Sequence, residues 1–162
     1  IHTIKHRMEN RKPIKPETPL KRVSHLMKEN IGEIIKEWLE LVKAHPELTA
    51  LPVSDKDRVD HLPEVVRELA NRVDVPTNIS SDKSKKVSAT HGKERARQGY
   101  NIPLIVIEMR LLQRVLSSVL QRNLIRMDLS TVIGDMIQVG ESLQEQLEYS
   151  IRGFQQSARE AA

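Results

Sequence analysis

Apolar residues recur at three- and four-residue steps along most of the chain, and that period predicts helices. Leu20, Val23, Met27, Ile31, Ile34, Trp38, Leu41 and Val42 form one stripe, so a first long helix is expected to start at Thr18 or Pro19 and end near Ala44. Gly32 lies inside it at about 1 kcal/mol of lost helix propensity, which marks a close approach to a neighbour. Pro46 stops this helix, a connection passes through Leu48, Leu51 and Pro52, and Ser54-Asp55 offers a cap for the next element. There Val59, Leu62, Val66, Leu69 and Val73 make a stripe, and Pro63 predicts a break near Asp60-His61. Residues 74–81 read as a loop in which Ser80, Ser81 and Asp82 can cap the next helix. Further helices are expected over residues 82–98, over 101–123, and from Asp128 or Ser130 to about Ala158. The last carries Val132, Met136, Val139, Leu143, Leu147, Ile151 and Phe154 at nearly heptad steps. The predicted fold class is all-α, a helical bundle of four long helices plus short helical pieces. Residues 1–17 read as a basic N-terminal arm, with Ile1, Ile4 and Met8 among Lys5, Arg7, Arg11 and Lys12, ended by Pro13 and Pro16; residues 18–162 form the bundle.

One stretch breaks the apolar rule. Over residues 82–98, Lys83, Lys86, Thr90, Lys93 and Arg97 fall on one face, a solvated charge run. Val87, His91, Arg95 and Gln98 fall on the other, beside Gly92. The second face is turned to the protein, yet it is mostly polar. Gly99 suits a helix C-terminus and Asn101 an N-cap. The next helix carries Leu104, Ile105, Leu111, Leu112, Val115, Leu116 and Val119, with Glu108 inside the stripe. A carboxylate there requires a partner, because a bare buried charge is prohibitive. Arg95 and His91 are the nearest candidates. Gln98, Tyr100 and His61 complete the polar or ligand-site candidates. His61 reads as a residue that caps the kink in the second helical segment rather than as a ligand.

Composition narrows the classes. The chain has 162 residues, 38% of them hydrophobic, 30% charged and only 2% aromatic, so the core is aliphatic, as in a bundle. There is no cysteine, which excludes disulfides, thiolate zinc sites and cysteine nucleophiles. No apolar run approaches a membrane span and no signal-peptide pattern is present. The net charge of +4 is scattered, so no nucleic-acid partner is expected. Metalloprotease, nucleophile-elbow and phosphate-loop motifs are all missing. His91 and Glu108 are an acid–base couple without a nucleophile or oxyanion site beside them, so the chain is not read as an enzyme and no catalytic residue is assigned. No metal site and no cofactor are expected; a haem held by His91 or His61 is the one competing idea, against which the shortage of aromatics counts. The chain starts without Met and ends while still reading as helix, which suggests a piece of a longer protein.

His91-Gly92-x-x-Arg95, then Gln98-Gly99-Tyr100, then Ile105-Val106-Ile107-Glu108-x-x-x-Leu112 resemble the RsbRD-type N-terminal domain. This is the input domain of stressosome co-antagonists and of many bacterial sensor histidine kinases. Asp60-His61-Leu62-Pro63 with Val65-Val66 and Leu69-Ala70, and a tryptophan in the first helix, Trp38, are similar to the same family. The resemblance covers roughly residues 20–154. It implies a helical, non-enzymatic sensory domain ahead of an output module of the same chain, a kinase core or a phosphorylatable regulator; the absence of cysteine fits the cytoplasmic location expected for it. It carries over no ligand site. A homodimer is expected from the apolar surface of the last helix, which exceeds what one bundle seam uses. That helix is also the expected conduit of the signal. The competing class is a ligand- or haem-binding bundle.

Overall fold

The computed structural model describes residues 19–75 and 81–162. The arm read over residues 1–17 and most of the loop read over 74–81 lie outside them. Among the described residues the fold is all-α, and the one extended pairing is an isolated parallel bridge between Lys21 and Met127. The helices are α1 (Val23–Glu29), α2 (Ile31–Ala44), α3 (Pro46–Thr49), α4 (Asp55–Val59), α5 (Leu62–Asp74), α6 (Asp82–Arg97), α7 (Ile102–Arg122) and α8 (Val132–Glu160), with a 3₁₀ turn (Leu124–Arg126) before α8.

Local chemistry sets most boundaries. Ser54 accepts from the Asp57 amide at 3.1 Å, Ser81 from Ser84 at 3.1 Å, and Asn101 from Leu104 at 2.9 Å, so α4, α6 and α7 start on side-chain caps. The chain breaks at Asp60-His61, and Pro63 takes a place in the first turn of α5, where its missing N–H costs nothing. The stripe beyond it is intact, so α5 is a 13-residue helix rather than a short piece, and the elements do not reduce to four long helices. His61 occupies the N-cap position of α5 without a side-chain cap bond, contrary to the role expected for it. The first long helix is divided at Asn30, whose Nδ2 donates to the Leu26 carbonyl at 2.7 Å and whose backbone leaves the helical region. Leu20 lies before α1 and is exposed. Capping at the start of α8 also differs: the helix begins at Val132 with no side-chain cap, and Asp128 instead accepts from the Ser130 amide at 3.0 Å.

The aliphatic core is built from Leu26, Met27, Ile34, Trp38, Val42, Val66, Leu69, Ile105, Leu112, Leu116 and Val119, all essentially inaccessible. α8 packs on α6 most extensively and also on α1, α5 and α7. The α6–α8 crossing is polar and tight. Ser88, Ala89 and Gly92 of α6 meet Gln146, Ser150 and Gly153 of α8. Ser150 Oγ donates to the Ser88 carbonyl at 3.0 Å. A Cβ on Gly92 would lie 1.8 Å from the Ser150 carbonyl oxygen, and one on Gly153 would lie 2.1 Å from that of Ala89. Close approach therefore belongs to these two glycines. Gly32 is exposed, with nothing near its missing Cβ.

This crossing corrects the predicted phase of α8. Of the expected stripe only Val139 and Leu143 are buried; Val132, Met136, Leu147, Ile151 and Phe154 are half-buried. The deepest line is Asp135, Val139, Ser142, Gln146, Ser150 and Gly153; at the crossing with α6 it holds Ser150 and Gly153, because backbones that approach this closely leave room only for small side chains. Asp135 is accommodated by Arg22, whose Nη2 donates at 2.6 Å, and by the Val23 amide at 3.3 Å, which ties the start of α1 to α8.

Gly92→Ala or Gly153→Ala is expected to destabilise by at least the ~1–3 kcal/mol that one surplus methyl costs in a packed core, since backbone is displaced. Gly32→Ala is expected to stabilise by up to about 1 kcal/mol. Urea unfolding of the three variants checks the ranking, and equal midpoints for Gly92→Ala and Gly32→Ala would contradict the tight crossing.

Candidate functional site

The polar residues predicted to face inward meet at the junction of α4, α6 and α7. α6 ends in a Schellman turn: the Gly99 amide donates to Ala96 at 3.2 Å, the Tyr100 amide to Arg95 at 3.0 Å, and Gly99 takes φ +80°. That turn folds Tyr100 back under α7, where its hydroxyl donates to Glu108 Oε1 at 2.6 Å. Arg95 Nε donates to Glu108 Oε2 at 2.8 Å. The other Arg95 nitrogens reach Gln98 Oε1 at 2.6 Å and the Arg58 carbonyl at 2.8 Å, and the guanidinium lies 5.0 Å from the centre of the Tyr100 ring. Trp38 Nε1 donates to the backbone carbonyl of Glu108 at 3.2 Å, so the core tryptophan pins the same turn of α7.

The structure thus brings His91, Arg95, Gln98, Tyr100 and Glu108 together. His91 Nε2 stands 3.7 Å from Glu108 Oε2, near enough for charge coupling but too long for a direct hydrogen bond. His61 lies at the margin, its Nε2 3.7 Å from Asp60 Oδ2.

Arg58 is the member that sequence reasoning missed. It is buried on α4, donates to the Tyr100 hydroxyl at 2.9 Å, and turns its remaining N–H groups on the carbonyls of Leu48 at 2.7 Å, Leu51 at 3.1 Å and Val53 at 3.3 Å. Its signal was present: Arg58 lies four residues before Leu62, on the α5 stripe extended back across the break.

Burial dominates the electrostatics. It pushes the Glu108 carboxyl above the usual carboxylate range, against the pull of Arg95 and Tyr100. It raises the Tyr100 hydroxyl, and the Glu108 charge adds to that, so the phenol keeps its proton. It holds His91 well below 6.5, with Arg95 and His61 adding to the effect, so the imidazole is neutral. Beside His91 and Glu108 lies a cavity of about 20 Å³, walled by Trp38, Leu62, Val65, Ile105 and Leu112 and closed by Ser88, Gln146 and Ser150. Among the described residues no three His, Asp or Glu side chains converge on a metal-sized site.

Chemically, the cluster is a satisfied ion pair with its donors locked on protein acceptors. No family model, no curated protein and no solved structure matches the chain.

Glu108→Ala strands the Arg95 guanidinium and is expected to cost roughly 3–5 kcal/mol, the usual penalty for breaking a buried pair. Arg110→Ala, on the exposed face of α7, is expected to be nearly neutral. Thermal melts that place the two variants together would remove the ion pair from the core of the fold.

His91 also sets a pH dependence. Folded His91 stays neutral, whereas the unfolded chain protonates near 6.5. Its contribution is therefore complete above that pH and is lost as pH falls, because the unfolded state then binds the extra proton. Glu108 works in the opposite sense, since its raised carboxyl lets the folded state hold a proton above 4.5. Wild-type stability measured from pH 7 to pH 5 is expected to fall more steeply than that of His91→Gln. Parallel curves would place the His91 ring in water.

Proposed function

We propose that this chain is the sensory or regulatory input domain of a bacterial, cytoplasmic signal-transduction protein, non-enzymatic and free of cofactor, which passes a signal along α8 to an output module of the same chain. The reading rests on the resemblance to the RsbRD-type N-terminal domain. It is supported by one observation above all: α8, 29 residues long, contacts α1, α5, α6 and α7, and residues 158–162 are exposed. An element gripped by every long neighbour except α2 is suited to report a change in the elements that hold it. Among the described residues no helix is long and apolar enough to cross a membrane.

A second copy of the chain covers the open apolar edge in this reading. Leu129, Ile133 and Ile137 succeed one another at four-residue steps and are 64%, 75% and 56% exposed; Leu124 and Ile125 extend the line. Exposed apolar surface of this continuity marks an interface. One helix face presented twice gives the self-complementary contact of a two-fold dimer. The competing ligand- or haem-binding reading rests on the cavity at His91, and at about 20 Å³ a porphyrin does not fit it.

Transmission through a helix depends on its phase. Four residues inserted after Phe154 turn the downstream chain by about 40°, at 3.6 residues per turn, and seven restore the heptad phase. In the full-length protein the four-residue insertion is expected to lock output on or off, while the seven-residue insertion keeps it responsive. Regulation untouched by both would make α8 a passive tether. Light scattering is expected to show a dimer that Ile133→Lys with Ile137→Lys converts to a helical monomer; a wild-type monomer at high micromolar concentration would refute the dimer.

A further inference from the structure

The cavity beside His91 carries an unanswered hydrogen-bond demand. Gln146 of α8 is 4% exposed, and its Oε1 has no partner among the described residues. Its Nε2 donates to the Val65 carbonyl at 3.4 Å, a long bond that fixes the amide so that Oε1 is the free acceptor. A buried carbonyl oxygen without a donor costs about 1–3 kcal/mol, and native proteins meet such demands with protein or with ordered water. His91 Nε2 lines the same cavity and lies 3.7 Å from the Glu108 carboxylate, beyond direct bonding; a polar gap of that length is where a bridging molecule belongs. The volume, about 20 Å³, exceeds the 10–15 Å³ or so that one water molecule requires.

We propose that this cavity is a binding site for one small, neutral hydroxylic molecule, water in the resting protein, held between Gln146 of α8, His91 of α6 and Glu108 of α7. The hydrogen-bond pattern closes with water. One O–H donates to Gln146 Oε1 and the other to the Glu108 carboxylate, while the oxygen accepts from His91 in its Nε2–H form. Arg95 and Tyr100 already occupy one position on each Glu108 oxygen, and a carboxylate has room for further donors. The opposite walls, Trp38, Leu62, Ile105 and Leu112, are apolar and limit the occupant to that size. Met109 lines both this cavity and the outer groove between α7 and α8. The site joins three helices through one molecule and stands on its geometry, whatever signal α8 carries.

The test uses water itself. Oxygen-17 relaxation dispersion on the whole chain counts internal waters that exchange slowly. The wild type is expected to hold one more than Gln146→Met, a variant of similar shape with no acceptor. An equal count would overturn the assignment. Should Gln146→Met fail to fold, an atomic-resolution crystal structure of the wild type decides. Density for one molecule in contact with both Gln146 Oε1 and His91 Nε2 supports the site. A direct Gln146–His91 bond with the cavity closed overturns it.

Discussion

Glu108 is a carboxylate placed in the middle of an apolar helix face, and the architecture around it is shaped by keeping that charge satisfied. Its two oxygens take the Arg95 guanidinium and the Tyr100 hydroxyl, and its own backbone carbonyl takes the Trp38 indole. Each donor is fixed in turn. Arg95 is held by Gln98 and by the Arg58 backbone, Tyr100 by Arg58 and by the Schellman turn at Gly99, and Arg58 by three carbonyls in and after α3. A buried ion pair is poor evidence of net stability against an apolar alternative. Its effect here is on specificity: the carboxylate's donors come from α6 and the α6–α7 turn and are fixed in turn by Arg58 of α4, so only one packing of these elements satisfies them together.

That logic explains how much could be read in advance. Glu108 and Arg95 were readable because a charge on an inward face has to find a partner, and the order of the helices left few. Gly99 and Asn101 were readable because their conformational roles are local. Arg58 was passed over although its spacing to Leu62 marks it, since a break separates it from the stripe to which it belongs and its partners are mainly carbonyls, which carry no residue type. The division at Asn30 was missed for a related reason: its side chain bonds a carbonyl one turn back, while the apolar stripe runs on undisturbed.

The phase of α8 is the larger lesson. Hydrophobic periodicity assumes that the buried face of a helix is its apolar face. α8 reverses this at its closest contact. Against α6 the backbones approach until a Cβ on Gly92 or Gly153 would overlap a carbonyl, so the deepest positions hold serine, glycine and glutamine. The apolar residues are turned partly aside, toward α7 and the open edge at Ile133 and Ile137. A tally of apolar residues cannot detect such a seam. The small residues Ser88, Ala89 and Gly92, and Ser150 and Gly153, do mark it.

The two kinds of contact on α8 respond differently to displacement. Apolar side chains packed on α7 tolerate a small slide, because dispersion is non-directional and losses at one contact are recovered at another. The α6 seam has no such tolerance. Moved by an ångström, the Ser150 hydroxyl leaves the Ser88 carbonyl, Gly153 meets Ala89, and Gln146 shifts relative to the cavity shared with His91 and Glu108. Hydrogen bonds with strict distances and glycine contacts with no spare space make discrete alternatives rather than a continuum. The α8 seam and the Glu108 cluster are joined by one helix, since Gly92 at the crossing and Arg95 in the ion pair are three residues apart on α6. A change that loosens either one removes a constraint from the other.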